Sequence, residues 1–328
     1  MTKHIPTDAA FLTRGITLSC WESAKLRIVH VSDLHVLCLR DVKWRHFFSK
    51  RLIGAANLMS FRANAHPIEI FDTLIDDVVQ QRPDHVVITG DLSNLSLESE
   101  FRRSLKSLEA LGGPERWTPI PGNHDAYTYE STKSCEFEKT FAPWLQWTDQ
   151  VRPPYPVIKK IEDIVIYGLS SAHPSPPLFA WGAVSRKQLT YLETHAQSIQ
   201  DSGLFKIVLV HHNLHKRGGW ADVTAQLRNK QLFIDILFRI NASVVLHGHT
   251  HKAHRYVLVK DNKKIPVLGS GSSTWSNPHH PARYNILTIN QGKLERITCR
   301  IYNLQSKQFE DYGEPLDTDT HGTQLVDR

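Results

Sequence analysis

The chain has 328 residues, 41% of them apolar, and its 39 Lys and Arg against 33 Asp and Glu leave a formal net charge of +6. That length and composition suit one large globular α/β domain, the charge hints at anionic partners, and no run of about 18 apolar residues is present to span a membrane. Cys20, Cys38, Cys135 and Cys299 stand far apart without CxxC spacing, which argues against a disulfide scaffold or a zinc knuckle; with no secretory pattern in residues 1–24, a cytoplasmic protein is expected.

Leu26–Val31 reads as a buried strand that runs into Ser32-Asp33-Leu34-His35. Alternation along an extended segment would put Asp33 and His35 on one side, both able to point at one ion. Residues 41–66 are a basic, aromatic insertion. Lys43, Arg45, Lys50, Arg51 and Arg62 fall there with no acidic residue between Asp41 and Glu69, and Trp44, Phe47, Phe48, Leu52, Leu58 and Met59 share one broad helical face. Such a helix either packs on the domain through that face or meets an anionic membrane surface, at the inner face of the membrane, as an interfacial cap. From Pro67 to Gln81 the apolar residues recur at helical spacing. A strand at His85–Thr89 then delivers Gly90-Asp91 and Asn94, and a helix follows from Ser96 to Leu111.

The strand Arg116–Ile120 leads into Pro121-Gly122-Asn123-His124-Asp125. The Asn123 amide oxygen suits a divalent cation, and His124 titrates near neutrality and is able to hand a proton to a leaving group; by itself the stretch is equally a polar β-turn. Residues 132–160 mix a short helix with aromatic and Pro-rich loops. A strand is expected over Ile164–Ser170, a Pro-rich rim loop over 171–177, and a helix over Ser185–Gln200 with Ser185 as its cap. Phe205–Val210 ends at His211-His212, and Ser243–Leu246 ends at His247-Gly248-His249-Thr250-His251, where i, i+2 spacing again places two imidazoles on one side. Short β-like runs at Tyr256–Lys260, Ile265–Leu268, Tyr284–Thr288 and Ile297–Tyr302 suggest an antiparallel continuation of a second sheet. The expected organisation is an N-terminal extension 1–24, one domain over 25–304, and a polar tail over 305–328.

Taken together, DxH at Asp33/His35, GD at Asp91, GNHD at 122–125, a strand-terminal His211 and GHTH at 248–251 make the sequence similar to the calcineurin-like metallophosphoesterase superfamily, in its bacterial cyclic-nucleotide phosphodiesterase branch. All five blocks occur in the family's order between residues 33 and 251. The resemblance implies a four-layer αββα sandwich of two mixed β-sheets flanked by helices, with the site at the strand ends. It implies one metal held by Asp33, His35, Asp91 and His251 and another by Asp91, Asn123, His211 and His249, with Asp91 bridging. Mixed carboxylate, amide and imidazole ligands suit Mn²⁺, Fe²⁺/Fe³⁺ or Zn²⁺. The implied nucleophile is a hydroxide shared by the two ions, and His124 is left to stabilise or protonate the departing oxygen. Asn94 departs from the Asp that many of these phosphatases use to orient that histidine; an amide carbonyl would hold the ring but raise its basicity less.

The function expected is metal-dependent hydrolysis of a phosphodiester or pyrophosphate in a phosphorylated, nucleotide-linked substrate. The alternatives are a UDP-2,3-diacylglucosamine pyrophosphatase acting on a lipid-linked substrate and a catalytically inactive scaffold, against which the intact ligand set argues. No added binding domain supports a nuclease or a specific nucleic-acid partner. His212 competes with His211 as a ligand, with His211 favoured. His173 and Arg283 are further candidates for substrate contact, and His247, His254, His279 and His280 read as core or rim residues.

Overall fold

The computed structural model describes residues 25–38, 65–146, 154–176, 178–199, 203–312 and 323–325. The extension 1–24 and the stretch 41–64, with its expected amphipathic helix, lie outside the described residues. In chain order the first half runs β1 (Leu26–Val31), α1 (Ile68–Gln80), β2 (His85–Ile88), α2 (Glu98–Leu108), β3 (Trp117–Pro119), three short helices α3 (Tyr129–Ser134), α4 (Glu136–Thr140) and α5 (Ala142–Leu145), then β4 (Val157–Ile161) and β5 (Ile164–Gly168). The second half runs α6 (Arg186–Ser198), β6 (Phe205–Leu209), α7 (Trp220–Thr224), α8 (Lys230–Arg239), β7 (Val244–His247), β8 (Ala253–Lys260), β9 (Lys263–Ser270), the two-residue strands β10 (Ser276–Asn277) and β11 (His280–Pro281), β12 (Arg283–Asn290), β13 (Lys293–Asn303), β14 (Gln308–Tyr312) and β15 (Thr323–Leu325).

Two large sheets result, one ordered β14-β13-β12-β1-β2-β3 and the other β15-β8-β9-β7-β6-β5-β4, and β10 and β11 pair as a separate two-stranded sheet. The central strands are buried on both faces, which is why they read as unbroken apolar runs. Alternation sorts their side chains into three cores. Ile28, Val87, Ile164, Ile166, Ile207, Leu209, Val244 and Leu246 pack between the sheets. Val29, Val31, Val86 and Ile88 face away, against Phe71, Leu74 and Val78 of α1 and Phe101 of α2. Val165, Tyr167, Val208 and Val245 meet Leu189 and Leu192 of α6 and Phe233 and Leu237 of α8 on the far side. Three cores between four layers confirm the αββα sandwich.

Local signals set the helices as expected. Ile70, Phe71, Leu74, Ile75 and Val78 form the buried stripe of α1, and the Ser185 side chain accepts the Gln188 N–H at the start of α6. The C-terminal strands depart from expectation. Of the four expected runs, those in β8 and β9 continue the second sheet, while those in β12 and β13 join the first together with β14, with β12 antiparallel to β1 in the register His30↔Asn285. Alternation reports that a strand has a buried face but not which sheet supplies the cover. Within the stretch 305–328, Gln308–Tyr312 pairs with β13, anchored by Phe309, which is buried against Tyr284 and Tyr302, and Thr323–Leu325 pairs with β8.

The parallel pairs β1/β2, β2/β3, β5/β6 and β6/β7 bring the carboxyl ends of strands from both sheets to one rim. There the Gly248 N–H donates to the His211 carbonyl and the Ser273 N–H to the Ser32 carbonyl.

Candidate metal centre

Asp33, His35, Asp91, Asn123, His211, His249 and His251 converge on that rim. One Oδ of Asp91 accepts the His124 backbone N–H at 2.8 Å. Its other oxygen, Oδ2, lies 3.4 Å from His211 Nε2 and 3.7 Å from His35 Nε2. That oxygen therefore stands between two groups of ligands, as a bridging carboxylate must. On one side His35 Nε2 and His251 Nε2 are 3.0 Å apart, with His251 Nε2 3.4 Å from Asp33 Oδ1. Ligand atoms of Asp33, His35, Asp91 and His251 all fall within 4.8 Å of one another. On the other side Asn123 Oδ1 lies 3.0 Å from His211 Nε2 and 2.8 Å from His249 Nδ1.

The outer ring nitrogens show what this second group is built to hold. His211 Nδ1 donates to the Thr89 carbonyl at 2.7 Å and His249 Nε2 to the Ala225 carbonyl at 3.0 Å. When both rings are neutral, each inner lone pair faces Asn123 Oδ1, itself an acceptor, and a shared cation would satisfy all three. Burial opposes charge on His211, but the adjacent Asp91 outweighs it and pushes the imidazole up to about 9, so a cation would displace that proton. Burial, reinforced by the charge on Asp91, pushes Asp33 up to about 7, and burial holds His249 well below the usual imidazole range. Two buried carboxylates facing four imidazoles and an amide fit divalent cations of borderline softness.

The backbone reasoning for these positions is corrected. Asp33, His35, Asp91, His249 and His251 have φ of 53°, 47°, 55°, 70° and 57°. They sit on tight loops just beyond the strands, and left-handed turns, not strand alternation, aim their side chains together. Such conformations cost on the order of 1–3 kcal/mol each and persist where surroundings fix them. Fixing is visible here. The His249 N–H donates to both Asp33 oxygens at 3.1 Å, Ser272 Oγ donates to the Asp33 carbonyl and Thr274 Oγ1 to the Leu34 carbonyl, each at 2.8 Å. Asp125 accepts from the backbone of Leu92, Ser93 and Gly122 and so ties the GNHD loop to the GD loop.

His124 packs edge-on to His35 and stacks on Tyr127. Its Nδ1 donates to the main-chain carbonyl of Asn94 at 2.8 Å. The Asn94 side chain is turned elsewhere: Nδ2 donates to the His35 carbonyl at 2.5 Å, and Oδ1 is buried with no partner among the described residues. Asn94 therefore meets the ring by its backbone, where any residue type would serve, and the expected side-chain contact is replaced. His212 turns both ring nitrogens away from the cluster, to Ser171 Oγ at 2.8 Å and the Ala180 carbonyl at 3.1 Å. His173 Nδ1 and Arg283 Nε each meet a nearby proline carbonyl, Pro174 and Pro281. Sequence reasoning missed the Ser272–Thr274 brace and His66, whose ring lies 4.6 Å from that of His35. The brace follows β9 but carries no Asp, Asn or His, and His66 lies before a helix and not after a strand, so no local signal marked them.

A family model described as calcineurin-like phosphoesterase matches residues 26–253. A protein named as a probable cyclic nucleotide phosphodiesterase from Pseudoalteromonas sp. (strain SM9913) is 21% identical over 278 residues, 82% of this chain and 90% of its own. Among solved structures, purple acid phosphatase PPD1 from yellow lupin aligns with a TM-score of 0.56 at 12% identity, covering 88% of this chain and 53% of the lupin chain, so this protein spans about half of that enzyme. A dimetal phosphatase from Danio rerio aligns with a TM-score of 0.55 at 13% identity over 84% of this chain and 95% of its own. With that match across most of its length, laid over the strand ends that carry the Asp and His cluster, the chain belongs to the calcineurin-like phosphoesterase family.

Proposed function

We propose that this protein hydrolyses a phosphodiester, with cyclic nucleotides as the first natural class to examine. The observation that carries the reading is the pairing of a bridging carboxylate, Asp91, with a histidine held beside it. With Nδ1 donating to the Asn94 carbonyl, His124 serves as an acid in its doubly protonated form: the imidazolium gives the Nε2 proton to the departing alkoxide, which a diester with a poor leaving group needs, and is left as the neutral Nδ1–H ring. The name of the Pseudoalteromonas relative supports the same class. Arg217 adds a positive charge whose field reaches both Asp33 and His249, which favours an anion at the site.

In this reading Asp33, His35, Asp91 and His251 hold one divalent cation and Asp91, Asn123, His211 and His249 the other, with Mn²⁺, Fe or Zn²⁺ as candidates. When bound, two such ions supply charge against the phosphoryl oxygens and acidify a water molecule. The chain's own residues do the rest: Arg217 draws the anion in, the buried rim limits water, and His124 holds the proton at Nε2 for the leaving oxygen. The lipid-linked pyrophosphate alternative and any membrane contact draw only on residues 41–64, outside the described residues.

The test is a panel assay of the purified chain with Mn²⁺ on bis-p-nitrophenyl phosphate, p-nitrophenyl phosphate, cyclic AMP and a UDP-linked diacyl sugar. Turnover of the diester and of cyclic AMP above the monoester supports the proposal. Preference for the monoester or for the UDP-linked lipid overturns it.

A further inference from the structure

Trp275 lies between β9 and β10, directly after the Ser272–Thr274 brace, at the open side of the cluster. The candidate ligands themselves mark that side: the side chains of Asp33, His35, Asp91 and His211 are 0–1% exposed, whereas that of His251 is 25% exposed. The indole stands edge-on to His251, with ring centroids 5.7 Å apart and planes at 80°. Of the other rings beside the cluster, Tyr127 is already stacked on His124 and His66 is tied to Thr274. Trp275 is half-buried, and its indole N–H has no hydrogen-bond partner among the described residues.

The backbone that carries the indole is pinned on both sides. Before it, Thr274 Oγ1 donates to the Leu34 carbonyl at 2.8 Å; after it, the Ser276 N–H donates to the Ala65 carbonyl at 2.9 Å. Ser276 and Asn277 then pair with Pro281 and His280, and Asn277 Oδ1 accepts the N–H groups of His279 and His280 at 2.8 and 3.2 Å. This closed hairpin sets the His280 imidazole nearly parallel to the indole, with 22° between planes and 6.0 Å between centroids. A broad ring fixed in advance loses little freedom when a flat partner lands on it. Lys252, next to His251, and Arg283 of β12 both bring positive charge to bear on His280, so the border of this surface suits a phosphorylated ligand.

We propose that Trp275 is a specificity-determining residue that stacks the base of a nucleotide whose phosphate lies at the metal centre. This rests on the phosphodiester reading above and deepens it, because it narrows the substrate class to diesters that carry a nucleobase. Every base has a π-face, so the indole selects for the presence of a base and not for one base over another.

The experiment measures binding, so that it does not depend on turnover. The full chain is loaded with Mn²⁺, and AMP, ribose 5-phosphate and inorganic phosphate are titrated into it by calorimetry, with metal content measured beside. The wild-type chain is expected to bind AMP about 5–100-fold more tightly than ribose 5-phosphate. Trp275→Leu, which keeps apolar bulk beside His251 and loses the aromatic face, should bring AMP to the level of ribose 5-phosphate while the affinities for ribose 5-phosphate and phosphate, and the metal content, stay at wild type. Trp275→Phe should keep part of the preference. A wild-type chain that binds AMP and ribose 5-phosphate equally, or a preference for AMP that survives in Trp275→Leu, would overturn the proposal. So would a parallel loss of all three ligands and of metal in both variants, which would make Trp275 a support for His251. Trp275-dependent binding of AMP by a chain that hydrolyses no phosphodiester would instead sink the catalytic reading and leave the base subsite standing.

Discussion

At the scale of single residues, position separates metal binding from proton transfer. Asp91 Oδ2 stands between His35 and His211, so Asp91→Asn removes charge from the shared ligand and is expected to leave less than about one ion per chain and no turnover. His124 meets the centre through its ring edge, against His35, and through its backbone N–H, on Asp91. His124→Ala should therefore keep both ions and lose about 10²–10⁴-fold in kcat on a substrate with a poor leaving group, and less on bis-p-nitrophenyl phosphate. Metal analysis beside the rate decides the point; loss of metal from His124→Ala would reverse the assignment. The adjacent histidines give a second contrast. His211 Nε2 points into the cluster, whereas both nitrogens of His212 are spent on Ser171 and Ala180. His211→Ala should lose about one ion per chain. His212→Ala should keep two ions yet lower stability by about 2 kcal/mol, through the cavity and the stranded Ser171 hydroxyl, as urea unfolding will read.

At the scale of elements, the site is assembled by loops pressed together more closely than any side chain allows. A Cβ on Gly248 would fall 1.9 Å from Ser32 Oγ and 2.6 Å from Asp33 Oδ2; one on Gly122 would fall 2.1 Å from Asp91 Oδ1. The loop after β7 thus lies on the loop after β1, and the GNHD loop on the GD loop. Gly248→Ala should separate the first pair, with a destabilisation of about 1–3 kcal/mol and a drop in metal content. A variant that kept its metals at wild-type affinity would show that these loops yield. The left-handed turns at Asp33, Asp91 and His249 belong to the same device, since a short reversal directly after a strand aims a side chain back over the strand end.

At the scale of the whole molecule, helix α1 is bound to the first sheet by charge as well as by its apolar stripe. Asp77, at the buried face of α1, accepts from Arg300 of β13 and from the Tyr284 hydroxyl of β12, with Arg300 Nε at 3.1 Å. Arg300 also reaches Asp311 of β14 at 2.9 Å, so one cluster joins the N-terminal half to strands that close the chain. Asp77→Ala strands Tyr284 and leaves Arg300 with the exposed Asp311 and the Phe309 carbonyl, and should cost about 2–3 kcal/mol, less than a fully enclosed pair. Because Tyr284 packs on the helix-covered face of the first sheet and neither it, Asp77 nor Arg300 is among the residues that converge on the rim, metal stoichiometry should stay at the wild-type value. A combined loss of stability and metal would show instead that the outer layer holds the site together.

The sequence by itself determined the candidate ligand types, their order and their place after apolar runs, because each of these is written within a few residues: a strand's periodicity followed at once by Asp, Asn or His. It also determined α1 and α6, whose stripes and caps are local. Tertiary structure decided the rest. Which sheet receives β12 to β14 depends on pairings such as His30 with Asn285, between segments far apart in the chain with nothing local to select one edge over another. The choice of His211 over His212 depends on where Thr89, Ser171 and Ala180 offer oxygen atoms. The Ser272–Thr274 brace and the place of His66 beside His35 arise the same way. Apolar spacing states that a face is covered and a motif states which atoms are available, but the partner of each hydrogen bond is fixed only when both sheets have packed and brought their strand ends to one rim.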